Sequence, residues 1–149
     1  MATLRDFTNV HCDYGIVPLR LAKALGAHPD MALRVPVGDL HVEKDVVVHL
    51  SPKPGYPGYE LFDIHWEPKE GGPYPSFAGT LSIADEGAGW SRVDLDGTYA
   101  PPLGPIGLVF DAMVGHRIAA ATAALLLAEI KRLVTKPVAG VSPNATASA

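Results

Sequence analysis

The chain has 149 residues, 48% of them hydrophobic and 19% charged, with a formal net charge of −4. This excludes a disordered polar chain, and a domain of about 150 residues buries roughly 68–70% of its unfolded surface, enough for a core without staples. The acidic balance repels nucleic acid, no cluster of cations offsets it, and the single cysteine, Cys12, closes no internal disulfide.

Residues 4–12 read as a first strand on Leu4, Phe7, Val10 and Cys12, followed by a turn at Asp13-Tyr14-Gly15. Residues 17–26 read as a short helix: Pro18 suits its first turn, Leu19, Ala22 and Leu25 recur at helical spacing, and Gly26 suits its end. His28-Pro29-Asp30 breaks the chain before two further strands, 31–38 and 42–50, joined at Gly38-Asp39. Residues 51–58 hold three prolines and two glycines and predict a loop, as does the stretch 68–75.

Three strands with clean alternation follow. In 59–67, Phe62, Ile64 and Trp66 claim one face and Asp63, His65 and Glu67 the other. In 76–84, Phe77, Leu81 and Ile83 oppose Thr80 and Ser82, and 85–89 predict a hairpin turn. In 90–99, Val93, Leu95 and Tyr99 oppose Arg92, Asp94 and Asp96. Consecutive strands with short connections favour an antiparallel meander, and one apolar face per strand demands a cover.

The cover is a helix predicted over 104–133, roughly 40 Å long, with a core stripe of Phe110, Val114, Ile118, Ala121 and Leu125 continued by Leu126, Ile130 and Leu133. Its run from Ile118 to Ala128, broken only by Thr122, is too short for a membrane span of about 17–25 residues. The sequence opens without an apolar signal core, so a cytoplasmic location is expected. Residues 1–135 are expected to form one domain and 136–149 a small-residue, flexible tail.

No residue cluster commits the chain to a reaction. Asp63, His65 and Glu67 share a strand face and suit a metal or a proton relay, but the alternation assigns them to the solvated side. His11 and Cys12 are neighbours on a strand and point apart, so a buried structural cysteine is expected rather than a nucleophile. The six histidines have no metal-ligand spacing, and His116 on the long helix is expected at the surface. Gly104-Pro-Ile-Gly107 precedes a helix, but its proline removes an amide donor that anion binding would use. No metal and no cofactor is expected.

The stretch Leu95-Asp-Gly-Thr-Tyr-Ala-Pro-Pro-Leu-Gly-Pro-Ile-Gly-Leu-Val-Phe-Asp111 joins a last strand ending in Gly-x-Tyr-x-Pro-Pro to the long helix. With Phe77-Ala-Gly-Thr-Leu81, it resembles bacterial members of the START-like helix-grip superfamily, which includes polyketide cyclases and lipid-transfer domains. The resemblance is carried by residues 58–134, and members often place two helices after the first strand where this sequence shows one. It implies an α+β fold in which a curved antiparallel sheet wraps a long C-terminal helix over a deep pocket. The pocket candidates are Phe62, Ile64, Trp66, Phe77, Leu81, Leu95, Tyr99, Phe110, Asp111 and Met113, with Tyr99 or Asp111 orienting a ligand's polar end.

The expected function is therefore binding or transport of an apolar or amphipathic small molecule: a lipid, isoprenoid or polyketide-like compound. Two alternatives stand beside it. One is a cyclase or dehydratase-type enzyme, which needs an inward acid–base pair. The other is a partner-protein segment held in the same groove, framed by the stretches 51–58 and 68–75.

Overall fold

The computed structural model describes residues 2–25, 30–37, 42–71, 74–100 and 112–135. In chain order these form β1 (Ala2–Val10), α1 (Val17–Leu25), β2 (Asp30–Val37), β3 (Val42–Tyr56), β4 (Tyr59–Pro68), β5 (Ser76–Gly87), β6 (Trp90–Ala100) and α2 (Ala112–Thr135). The strands make one six-stranded sheet in the order β1-β6-β5-β4-β3-β2, antiparallel at every pairing. The meander β2 to β6 runs across it, and β1 closes on β6.

Local chemistry fixes the turns. Asp13 Oδ1 accepts the Gly15 amide at 3.1 Å, and the Asp13 carbonyl accepts those of Ile16 and Val17, which starts α1. Tyr56 pairs with Tyr59 around Pro57-Gly58, where Gly58 adopts φ +84°. At the β5–β6 tip both central residues have positive φ, Ala88 at 54° and Gly89 at 81°, the signature of the tight hairpin turn that matches strand twist.

Alternation decides the faces as expected. Phe62, Ile64, Trp66, Phe77, Leu81, Ile83, Val93, Leu95 and Tyr99 are buried on the inner side, while Asp63, His65, Glu67 and Asp96 are exposed on the outer one. Helix α2 covers the inner side, but unevenly. It lies close to the two edge strands, β1 and β2, and to α1, while the middle strands β4 and β5 stand further off. The sheet thus curls into a half-barrel with α2 across its mouth. Arg20 of α1 donates to the Val134 carbonyl near the C-terminal end of α2, where a cation also suits the helix dipole.

Three expectations need correction or bounding. Residues 51–56 are not loop: β3 continues through Pro52 and Pro54 to Tyr56. Among the described residues the pairing with β2 ends at His49, so from Leu50 onward no described strand pairs with that side of β3, and prolines can point their missing donors there without breaking a described ladder. Leu125 does not belong to the core stripe of α2: it is 37% exposed, and the buried line runs through Ile118, Ala119, Thr122, Ala123, Leu126, Leu127, Ile130 and Val134. The predicted start of this helix at 104, the turns at 26–29 and 38–41, and the stretch 136–149 lie outside the described residues.

Candidate functional site

The space between α2 and the middle strands is spanned by large side chains. Trp66 of β4 and Phe77 of β5 are register partners, and their rings stack with centroids 4.3 Å apart and planes 16° from parallel. The indole N–H of Trp66 donates to the Pro75 carbonyl at 3.0 Å, so its one polar atom is satisfied inside the core. Phe62, Ile64, Leu81 and Leu95 complete an apolar lining.

Two glycines shape this lining. Gly79 and Gly97 lie directly opposite each other on β5 and β6, between the partners Ile64 on β4 and Leu4 on β1. A Cβ on Gly97 would stand 2.7 Å from Gly79 Cα and 2.6 Å from Phe77 Cζ. The phenyl ring of Phe77 therefore lies over bare backbone at a point where two strands approach without side chains.

Two phenols reach from the sheet side toward α2. Tyr99 of β6, expected as the polar handle, is buried, and its hydroxyl lies 3.1 Å from His116 Nδ1 on the first turns of the helix. His116 itself is exposed, as expected. Tyr74, in the connection between β4 and β5, is also buried, and its hydroxyl bonds Thr122 Oγ1. Thr122 donates its only hydroxyl proton to the Ile118 carbonyl at 2.7 Å, so Tyr74 must be the donor in the pair. Burial pushes the Tyr74 phenol up to about 12, outweighing the opposite pull of the Thr122 hydrogen bond.

Tyr74 and Thr122 were not among the residues singled out in the sequence, although a signal was present. Thr122 is the one polar interruption of an otherwise apolar helical run, and a buried hydroxyl needs a partner from the facing layer. Of the remaining pocket candidates, Phe110 and Asp111 lie outside the described residues, and the Met113 side chain does too.

The outer-face candidates are dispersed into pairs. Lys53 Nζ lies 3.0 Å from Asp63 Oδ1, His49 Nε2 lies 3.3 Å from Glu67 Oε1, and the His49 and His65 rings stack at 4.4 Å. Among the described residues, no three His, Cys, Asp or Glu side chains come together as a metal-ligand set. Cys12 is buried, and desolvation raises its thiol pKa, whereas exposed His11 stacks on Trp90 at 4.7 Å. A buried, protonated thiol facing away from its neighbouring imidazole is a poor nucleophile. No helix among the described residues is long and apolar enough to cross a membrane.

No protein-family model matches the chain, and no curated protein matches its sequence. Solved structures do resemble it. A START superfamily protein from Mycobacterium smegmatis superposes with a TM-score of 0.52 at 14% identity, covering 89% of this chain and 96% of that one. The fold is START-like. A conserved protein from Geobacillus kaustophilus superposes with a TM-score of 0.51 at 10% identity, covering 91% of this chain and 96% of that one. At these identities the likeness concerns the START-like fold alone. It extends beyond the stretch 58–134 that carried the sequence resemblance, so the arrangement around β1 and α1 belongs to the fold as well.

The Tyr74–Thr122 contact has a consequence for alkaline stability. A phenol that titrates near 10 when unfolded and near 12 when folded stabilises the fold fully below pH 10, and this contribution is lost as pH rises toward 12. The size is of order 2–3 kcal/mol. Urea midpoints measured at pH 9 and pH 11 are expected to differ much less for Tyr74→Phe than for the unaltered chain. Equal alkaline losses in both would show that Tyr74 is not the group responsible.

Proposed function

We propose that the chain binds an apolar or amphipathic small molecule, such as a lipid, isoprenoid or polyketide-like compound, between the sheet and α2. The observation that carries this reading is a pair of buried phenols set in an otherwise apolar lining, on the side where the helix stands away from the middle strands. Sites for such ligands are mostly apolar with a few placed polar groups. Phe62, Ile64, Trp66, Phe77, Leu81 and Leu95 would supply contact area at about 25 cal/mol per Å² of apolar surface buried. Tyr99 would hold the polar end of the ligand, with Phe110, Asp111 and Met113 as further proposed lining.

Native mass spectrometry of the protein purified from its own host tests this. A retained adduct of lipid-like mass is expected, and Tyr99→Phe is expected to weaken its affinity about tenfold, the worth of one hydrogen bond in a dry site. A bare chain mass, combined with no binding of dodecanoate or farnesol by calorimetry, would remove the proposal. Unchanged affinity in Tyr99→Phe would remove the role of Tyr99 alone.

One observation favours a second reading, an enzyme of the cyclase or dehydratase type. The Tyr99 hydroxyl and His116 Nδ1 are within hydrogen-bond reach, which gives an acid–base pair at the edge of the inner space. Turnover of a bound polyketide-like compound that disappears in His116→Gln would favour this reading over simple carriage. For the partner-protein reading, the bordering stretch 51–56 is strand rather than loop.

A further inference from the structure

A separate recess of about 500 Å³ opens to solvent on the opposite, outer face of the sheet. Its walls include Arg5 and Phe7 of β1, Ser82 of β5, and Arg92, Asp94 and Asp96 of β6. The register explains the convergence. Arg5 pairs with Asp96 and Phe7 with Asp94 across β1 and β6, while Ser82 pairs with Asp94 across β5 and β6. Residues from three neighbouring strands thus meet in one patch.

The patch is organised internally. Arg5 Nη2 lies 2.9 Å from Asp96 Oδ2, and Arg92 Nε lies 3.0 Å from both oxygens of Asp94. The Arg92 guanidinium stands 4.0 Å above the Phe7 ring, yet Phe7 remains 49% exposed. Asp6, which also borders the recess, accepts the Phe7 amide at 2.8 Å. Cations, carboxylates, a hydroxyl and one open aromatic surface are therefore held side by side.

Charge narrows the ligand. Two guanidiniums face two outward carboxylates, so an anion meets Asp94 and Asp96, and a cation meets Arg5 and Arg92. A wholly apolar ligand would strip water from two ion pairs and return no hydrogen bonds. A neutral molecule rich in hydroxyls avoids all three penalties, because it replaces water's hydrogen bonds to the ion pairs one for one. Its C–H surface would lie on Phe7, and the volume falls within the roughly 300–1,000 Å³ range of small-molecule sites.

We propose that this outer recess is a binding site for a neutral polyhydroxylated small molecule of saccharide size. Ligand hydroxyls donate to Asp94 and Asp96 and accept from Arg5, Arg92 and Ser82. The site lies on the other face of the sheet from the inner space, so its fate is independent of the function proposed above.

Amide chemical shifts recorded during titration with glucose, maltose and myo-inositol provide the test. Shifts confined to residues 5–7, 82 and 92–96 are expected with at least one of the three. At least about a tenfold loss of affinity is expected in Phe7→Ala and in Asp94→Asn. Both positions are solvent-accessible, and unchanged shifts elsewhere would show that the variants remain folded. Three outcomes overturn the proposal: no shifts with any of the three compounds, shifts centred on inner residues such as Trp66 and Phe77, or tighter binding of glucose 6-phosphate or glucosamine than of glucose.

Discussion

Replacing Trp66 with alanine is expected to destabilise the chain by about 3–5 kcal/mol, the range for removing a large aromatic side chain from a packed core. Three losses combine at this position. The indole is 1% exposed, so its removal leaves a cavity rather than a solvated gap. Phe77 loses the ring stacked upon it, and the Pro75 carbonyl loses its donor. Against a total stability of about 5–15 kcal/mol for a typical domain, such a change removes a large share of the margin. Urea denaturation measures it directly. Trp66→Phe retains most of the stack but not the N–H, and its cost is expected to fall between the two. A Trp66→Ala cost below about 1.5 kcal/mol would mean that the ring does not fill the space between sheet and helix.

The second large effect is expected at Gly97. Its backbone is not in the left-handed region, so an alanine is conformationally permitted there; the obstacle is room. A methyl group would press on the Ala78 carbonyl oxygen, on Gly79 Cα and on the Phe77 ring, and of these only the ring can yield without moving a strand. Overpacking of this kind costs about 1–3 kcal/mol or more. Gly58 provides the contrast. It has φ +84° and open space around it, so Gly58→Ala should cost only about 1 kcal/mol, through backbone strain. Equal costs at the two sites would show that the close approach of β5 and β6 is not what excludes a side chain at 97. Because Phe77 also stacks on Trp66, the Gly97→Ala and Trp66→Ala costs are expected to be non-additive.

Both positions bear on function through the same geometry. Bare backbone at Gly97 leaves room for the Phe77 ring, and Phe77 in turn stacks on Trp66 on the inner side of the sheet. A ligand bound on the inner side must displace some of these rings, since Trp66 and Phe77 are packed to 1% and 2% exposure. Variants at Trp66 and Phe77 are thus expected to change ligand size preference as well as stability.

The candidate site was legible only in part. Its apolar lining could be named because a strand's side chains alternate strictly, so one pass along 59–67, 76–84 and 90–99 separates Trp66, Phe77 and Leu95 from Asp63, Thr80 and Asp94. Its polar members could not be paired in that way. Tyr99 was visible as a buried phenol, but the identity of its partner depends on which turn of α2 stands above β6. Tyr74 lies in a connection rich in proline and glycine, where no periodicity exists to assign a face.

What the sequence determined by itself was everything governed by short-range repetition: strand faces, the hairpin turn within 85–89, the short helix after Asp13, and the apolar helix that follows the sheet. These depend on neighbours a few residues apart, and the period of the pattern records them. Tertiary structure decided the rest. Whether prolines at 52 and 54 end a strand depends on whether β2 still runs alongside, and among the described residues that pairing stops at His49. Whether Leu125 or Leu127 is buried depends on the rotation of α2 against a curled sheet, because a broad apolar helix face leaves its angle unspecified. The outer recess depends on register across three strands, a quantity set by pairing distances far longer than any local motif.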